Sequence, residues 1–205
     1  NPTTSTYDAI VYDNTGTANF ASDITFDNNE FVGGAYGIYA YGNRTSSRQG
    51  KWTVTNNTFK DWNYTGVYAY YHEDFVLDGN HIENKPGYSS PRGFYGYYSY
   101  NLSANNNTVI IHGGTSSPMG MYMYRCGAYL NTTREGITNN MISRTGTGGC
   151  CPRGLYIYDP DYRDIDHNSI SWYSTSTSSS YSALYVSSGT SVRVRNNSAA
   201  NMGAG

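Results

Sequence analysis

An asparagine recurs seven times along this chain with the same apolar neighbours, and that repeat constrains the fold more than any other feature. The positions are Asn29, Asn57, Asn80, Asn107, Asn140, Asn168 and Asn197, at spacings of 28, 23, 27, 33, 28 and 29 residues. Three residues before each lies an apolar residue: Phe26, Val54, Leu77, Ala104, Ile137, Ile165 and Val194. Two residues after each lies another: Phe31, Phe59, Ile82, Val109, Ile142, Ile170 and Ala199. A second motif, Gly-apolar-Tyr-small/apolar-Tyr, follows in most copies. It reads Gly37-Ile38-Tyr39-Ala40-Tyr41, Gly66-Val67-Tyr68-Ala69-Tyr70, Gly93-Phe94-Tyr95-Gly96-Tyr97, Gly120-Met121-Tyr122-Met123-Tyr124 and Gly154-Leu155-Tyr156-Ile157-Tyr158. Ala183-Leu184-Tyr185-Val186-Ser187 is a weaker copy, and Ala9-Ile10-Val11-Tyr12 reads as a degenerate first one.

Both motifs alternate with period two, as strands do, and neither keeps a helical period. A repeat of this length with two or three short strands is one coil of a β-solenoid. Coils pair in parallel about 4.8 Å apart, so equal positions stack into columns. The expected fold is all-β: one parallel β-helix of about seven coils over residues 9–200, filling the single domain 1–205. Apolar columns fill the interior. The asparagine column is expected at a bend, where Asn tolerates left-handed backbone and its amide reaches the Asn of the next coil.

Three loops end alike, in Ser89-Ser90-Pro91-Arg92-Gly93, Ser116-Ser117-Pro118-Met119-Gly120 and Cys150-Cys151-Pro152-Arg153-Gly154. Proline fixes φ before the strand, and glycine is expected to permit the turn into it. Composition agrees with strands and turns: 23 Tyr, 23 Gly and only 14% charged residues, against about 25% in average domains. A net charge of -2 argues against nucleic acid as a partner, since phosphate binding needs clustered Lys and Arg. No apolar run reaches the roughly 18 residues of a membrane span. A start at Asn1 suits a processed chain or a segment of a longer solenoid.

Thr53-Val54-Thr55-Asn56-Asn57-Thr58-Phe59 and Asp164-Ile165-Asp166-His167-Asn168-Ser169-Ile170 resemble the right-handed parallel β-helix repeat of the pectate-lyase-like superfamily. The resemblance implies the handedness and the fold. It leaves function open, because that superfamily spans lyases, hydrolases, phage tailspikes, adhesins and surface-layer proteins. Its lyases use acidic residues and a basic residue on neighbouring coils. The column two before the ladder asparagine reads Asp27, Thr55, Asp78, Asn105, Thr138, Asp166 and Arg195, with no acids on adjacent coils. Ile165-Asp166-His167 is similar to a stretch in pectate lyases, but their Arg-x-Pro-x-x-Arg element is absent. No catalytic residue and no cofactor is assigned. Asp159, Asp161 and Asp164 are a weak calcium candidate by residue type. His72, His81 and His112 receive no role.

With the apolar positions of the second motif inward, Tyr39, Tyr41, Tyr68, Tyr70, Tyr95, Tyr97, Tyr122, Tyr124, Tyr156, Tyr158 and Tyr185 face outward and tile one face. Three uses are open: cross-strand stabilisation, packing against another protein, or stacking on sugar rings. No capping helix is evident at either end, and an open solenoid end recruits another chain. The odd count of Cys126, Cys150 and Cys151 suits an interchain disulfide, a vicinal Cys150–Cys151 bond, or reduced thiols. Sequons at Asn43, Asn63, Asn101 and Asn131 are possible glycosylation sites, and Asn56, Asn106 and Asn196 also begin sequons. The expected function is an extracellular structural protein that polymerises with itself, similar in architecture to microbial filament, sheath and surface-layer solenoids. The alternative is a polysaccharide-acting enzyme or glycan-binding module.

Overall fold

A computed structural model describes residues 8–14, 21–42, 49–127, 134–146, 148–175 and 181–203. Three parallel sheets of seven strands each wrap one core. Sheet A is built from Ala9–Asn14, Tyr36–Tyr41, Thr65–Tyr70, Arg92–Tyr97, Met119–Tyr124, Arg153–Tyr158 and Ser182–Ser187. Sheet B takes Ile24–Asp27, Trp52–Thr55, Val76–Asp78, Ser103–Asn105, Glu135–Thr138, Arg163–Asp166 and Arg193–Arg195. Sheet C takes Glu30–Val32, Thr58–Trp62, His81–Asn84, Thr108–His112, Met141–Thr145, Ser169–Tyr173 and Ser198–Met202. The chain visits A, B and C in turn. It therefore lays down seven coils and about six full turns, because seven strands per sheet leave six intervals.

The register follows the repeat. Tyr95 pairs with Tyr68 and Tyr122, Leu77 with Val54 and Ala104, and Ile82 with Phe59 and Val109. Ile38, Val67, Phe94 and Met121 from sheet A meet Val54, Leu77 and Ile137 from sheet B and Phe59, Ile82 and Val109 from sheet C in one fully buried cluster. Each such side chain contributes about 1.5–3 kcal/mol relative to exposure.

The asparagine ladder runs along the bend between sheets B and C. Each Oδ1 accepts from both the backbone N–H and the Nδ2 of the asparagine one coil earlier, at 2.8–3.1 Å, from Asn29 through to Asn197. The second Nδ2 proton goes to a sheet B carbonyl of the preceding coil, such as Leu77 for Asn107 at 2.9 Å. The left-handed residue is not the ladder asparagine, as expected, but the one before it. Asn28, Asn56, Gly79, Asn106, Asn139, His167 and Asn196 all have φ between 53° and 68°. That position turns the chain, which frees the next side chain to point inward.

The glycines of the second motif also differ from expectation. Gly37, Gly66, Gly93, Gly120 and Gly154 lie inside strands and are absent from the left-handed positions. A Cβ on Gly93 would stand 2.3 Å from Val109 Cγ1 and 2.6 Å from the carbonyl oxygen of Gly120, and the other four repeat this pattern. Glycine is required there because sheet A is pressed against the sheet C core at that point.

Two arginines are buried in place of apolar residues. Arg144 donates to the carbonyls of Gly113, Tyr173, Gly114 and Gly148 at 2.6–2.9 Å, tying three successive C-to-A turns together. Arg163 donates to the carbonyls of Cys126 and Leu102. Burial lowers the pKa of both.

Candidate functional site: the tyrosine face of sheet A

The outer surface of sheet A carries two parallel tyrosine columns. Tyr12, Tyr39, Tyr68, Tyr95, Tyr122, Tyr156 and Tyr185 form one, with successive ring centroids 4.7–5.4 Å apart. Tyr41, Tyr70, Tyr97, Tyr124 and Tyr158 form the other, at 4.5–5.0 Å. These separations fall in the favourable range for aromatic pairs. Most neighbours are stacked with interplanar angles below 30°, so each ring covers the faces of the rings above and below. The columns face outward yet leave mainly ring edges in contact with solvent. Tyr12 and Tyr185, on the two end coils, are the most open, at 42% and 36%.

Burial by neighbours disfavours the phenolate at Tyr39, Tyr68, Tyr95 and Tyr122. It pushes Tyr39 up to about 12 and raises Tyr68, Tyr95 and Tyr122 further.

Tyrosines outside the expected set pack beside the columns, with Tyr36 and Tyr71 buried beneath the surface. Tyr71 and Tyr98 stack at 5.5 Å beside the second column, and Tyr64 packs edge-on against Tyr36 at 5.3 Å beside the first. Arginines flank both margins. The Arg92 guanidinium lies 4.8 Å from the Tyr95 ring, and that of Arg153 lies 3.9 Å from Tyr156 and 4.5 Å from Tyr185. Arg125 sits 5.5 Å from both Tyr98 and Tyr124 and pairs with Asp159 at 3.1 Å. The sequence signals were present: Tyr70-Tyr71 and Tyr97-Tyr98 are doublets, and Pro-Arg-Gly precedes two of the motifs.

The calcium expectation is corrected. Asp159 is taken by Arg125, Asp161 accepts from the N–H and hydroxyl of Thr190 at 2.8 and 2.7 Å, and Asp164 is held by Arg193 and Arg134. Among the described residues no group of three His, Cys, Asp or Glu side chains is arranged to hold a metal ion. Asp166 pairs with Arg195. These are ties between coils, and they hold the Asp164 and Asp166 carboxyls below the usual range.

Cys126 is a core residue, 1% exposed and packed in the apolar cluster, so it is corrected as an interchain candidate. Cys150 is exposed and Cys151 half-buried in the turn before Arg153. Asn63 and Asn101 are half-buried, and Asn101 donates to Asp74 at 2.9 Å. Asn43 and Asn131 lie outside the described residues.

One cluster was not anticipated. On the outer side of sheet C, Glu83 accepts from His112 Nε2 at 2.7 Å and contacts His81 Nε2 at 3.1 Å. His112 Nδ1 meets the Thr145 hydroxyl at 2.7 Å. The two imidazoles, His112 first, hold the Glu83 carboxyl low. A shallow cleft of about 240 Å³ beside them is lined by Lys60, Asp61, Glu83, Asn84, Pro86 and His112.

The family model described as right handed beta helix region matches residues 8–151. The chain belongs to that family. At this coarse level the right-handed β-helix also fits the pectate-lyase-like superfamily. No curated protein and no solved structure matches the chain.

Proposed function

We propose that this β-helix protein is a structural building block of an extracellular or cell-surface filament, sheath or layer, and that copies stack head to tail. The observation that carries the reading is the complementarity of the two ends. Each ladder asparagine offers its N–H and Nδ2 forward to the Oδ1 of the next coil. By the same geometry the Asn197 N–H on coil 7 points outward, while its Nδ2 donates to the carbonyls of Ile165 and Arg195, and Asn29 on coil 1 presents an acceptor. A second copy placed in register satisfies both.

The apolar surface supports this reading. Of the exposed large apolar or aromatic side chains among the described residues, Ile10, Tyr12 and Val32 lie on coil 1 and Tyr185, Val194 and Met202 on coil 7, with Met141 the exception. Unpaired strand edges bordered by apolar side chains recruit further strands, and a heterologous contact of this kind grows into a fibre or ring. The sparsely charged, sequon-bearing composition supports the extracellular setting.

Sedimentation velocity tests the contact. The wild type is expected to form a concentration-dependent series of oligomers, Val194→Asp to sediment as a monomer, and Met141→Asp to behave as wild type. A wild type that is monomeric at every concentration would sink the proposal.

A second reading, binding of an anionic glycan along sheet A, is favoured by Arg92 and Arg153 at the margin of the tyrosine columns. Sugar rings would meet ring edges and hydroxyls, and carboxylates would meet guanidinium groups. Retention on an acidic polysaccharide column that Arg92→Ala with Arg153→Ala abolishes would support it.

A further inference from the structure

The serine pair of the turn before sheet A is replaced on one coil by cysteines. Ser89-Ser90-Pro91 and Ser116-Ser117-Pro118 are followed one coil later by Cys150-Cys151-Pro152. The turns stack in register: Met119 N–H donates to the Pro91 carbonyl, and Arg153 N–H to that of Pro118. The two thiols therefore occupy the outer positions that hydroxyls hold on the coils before. They do not point apart. Cys150 Sγ lies 3.0 Å from Cys151 Sγ and 3.6 Å from the Ser117 hydroxyl. Gly148 and Gly149, with φ of 87° and 97°, lead into the turn, and Pro152 follows it.

From this geometry we propose that Cys150 and Cys151 form a redox-active vicinal dithiol, which a small-molecule disulfide such as oxidised glutathione closes to an intrachain Cys150–Cys151 bond. The Cys150 thiolate attacks one sulfur of the small disulfide and expels one small thiolate. The Cys151 thiolate then attacks the Cys150 sulfur of the mixed disulfide and expels the second. One disulfide bond breaks and one forms. Two protein thiols are oxidised, and the small disulfide is reduced to two thiols. Exposure of Cys150 gives the oxidant access, and hydrogen bonds from Cys151 and Ser117 hold the Cys150 pKa below its ordinary value. Adjacent Cα atoms are about 3.8 Å apart across a trans peptide, closer than the ~4.4 Å lower limit usual for disulfides. The closed form is thus strained and readily reopened by dithiols. Closure within the turn takes the place of the interchain bridge that the odd cysteine count suggests, and it does not depend on head-to-tail stacking.

Cys126 supplies the internal control. Its sulfur packs in the core near the position a Gly96 Cβ would occupy, out of reach of small oxidants. The test is thiol counting and intact mass on the full chain after incubation with oxidised glutathione, followed by dithiothreitol.

Wild type and Cys126→Ser are expected to lose two titratable thiols and about 2 Da, with full recovery on reduction. Cys151→Ser is expected to stop at one mixed disulfide on Cys150. Disulfide-linked dimers in place of the closed monomer would overturn the proposal. So would a thiol loss that requires Cys126, or three thiols that remain titratable in the wild type.

Discussion

The asparagine and tyrosine ladders are built from the same repeat, and they behave differently. The asparagines lie inside, with Asn57, Asn80, Asn107 and Asn140 each about 1% exposed, and their amide protons and Oδ1 atoms are consumed between coils. The tyrosines lie outside, cover one another's faces, and keep their edges in solvent. A buried polar ladder is fixed by directional bonds, and losing one member strands its partners without water. An outward aromatic ladder is fixed by contact area, and losing one member leaves a notch that water fills. The first ladder is therefore structural machinery. The second is a surface that can be altered while the fold survives.

Breaking the inner ladder should have the largest effect. Asn107→Ala removes the acceptor of two Asn80 donors and the donor to Leu77, and it should cost about 3 kcal/mol or more in chemical denaturation. A cost below about 1 kcal/mol would show that the ladder is ornamental. Gly93→Ala drives a methyl into Val109 and the Gly120 carbonyl, and should cost about 2–3 kcal/mol by the same measurement. Tyr95→Ala should cost only about 1–2 kcal/mol, through its contacts with Tyr68, Tyr122 and Arg92. Tyr95→Phe should be neutral to within about 0.5 kcal/mol, because stacking needs the ring and not the hydroxyl.

Alkaline titration sharpens the contrast from the other side. Tyr39, Tyr68, Tyr95 and Tyr122 have raised pKa values in the folded chain because burial disfavours the phenolate. Unfolded tyrosines ionise at about pH 10. The stabilisation from these groups is complete below that pH and is lost as pH rises through the folded values. The phenolate absorbance should therefore rise in two stages, the second coinciding with loss of the circular dichroism signal. A single non-cooperative rise for all 23 tyrosines would contradict the stacked ladder.

The sequence exposed whatever repeats in register. The Asn29-to-Asn197 column, the apolar columns and the outward direction of Tyr39 to Tyr185 all follow from period-two alternation and coil spacing. What it hid depends on neighbours brought together by the winding. The glycine of the second motif looks like a turn residue in one dimension, yet its role comes from Val109 and the next coil's backbone. His81, Glu83 and His112 seem scattered until the register places them on adjacent strands. Arg144 and Arg163 carry no local sign of burial, because the carbonyls that converge on them belong to distant turns. The acidic run Asp159 to Asp166 reads as a cation site, but Asp159, Asp164 and Asp166 meet arginines and Asp161 meets the neutral Thr190 of the next coil.

The most direct test is negative-stain electron microscopy of the purified chain, with and without reductant. Seven coils at about 4.8 Å each give an axial repeat of about 34 Å, and head-to-tail stacking predicts filaments or rings with that repeat in both samples. Uniform monomers in both would contradict it.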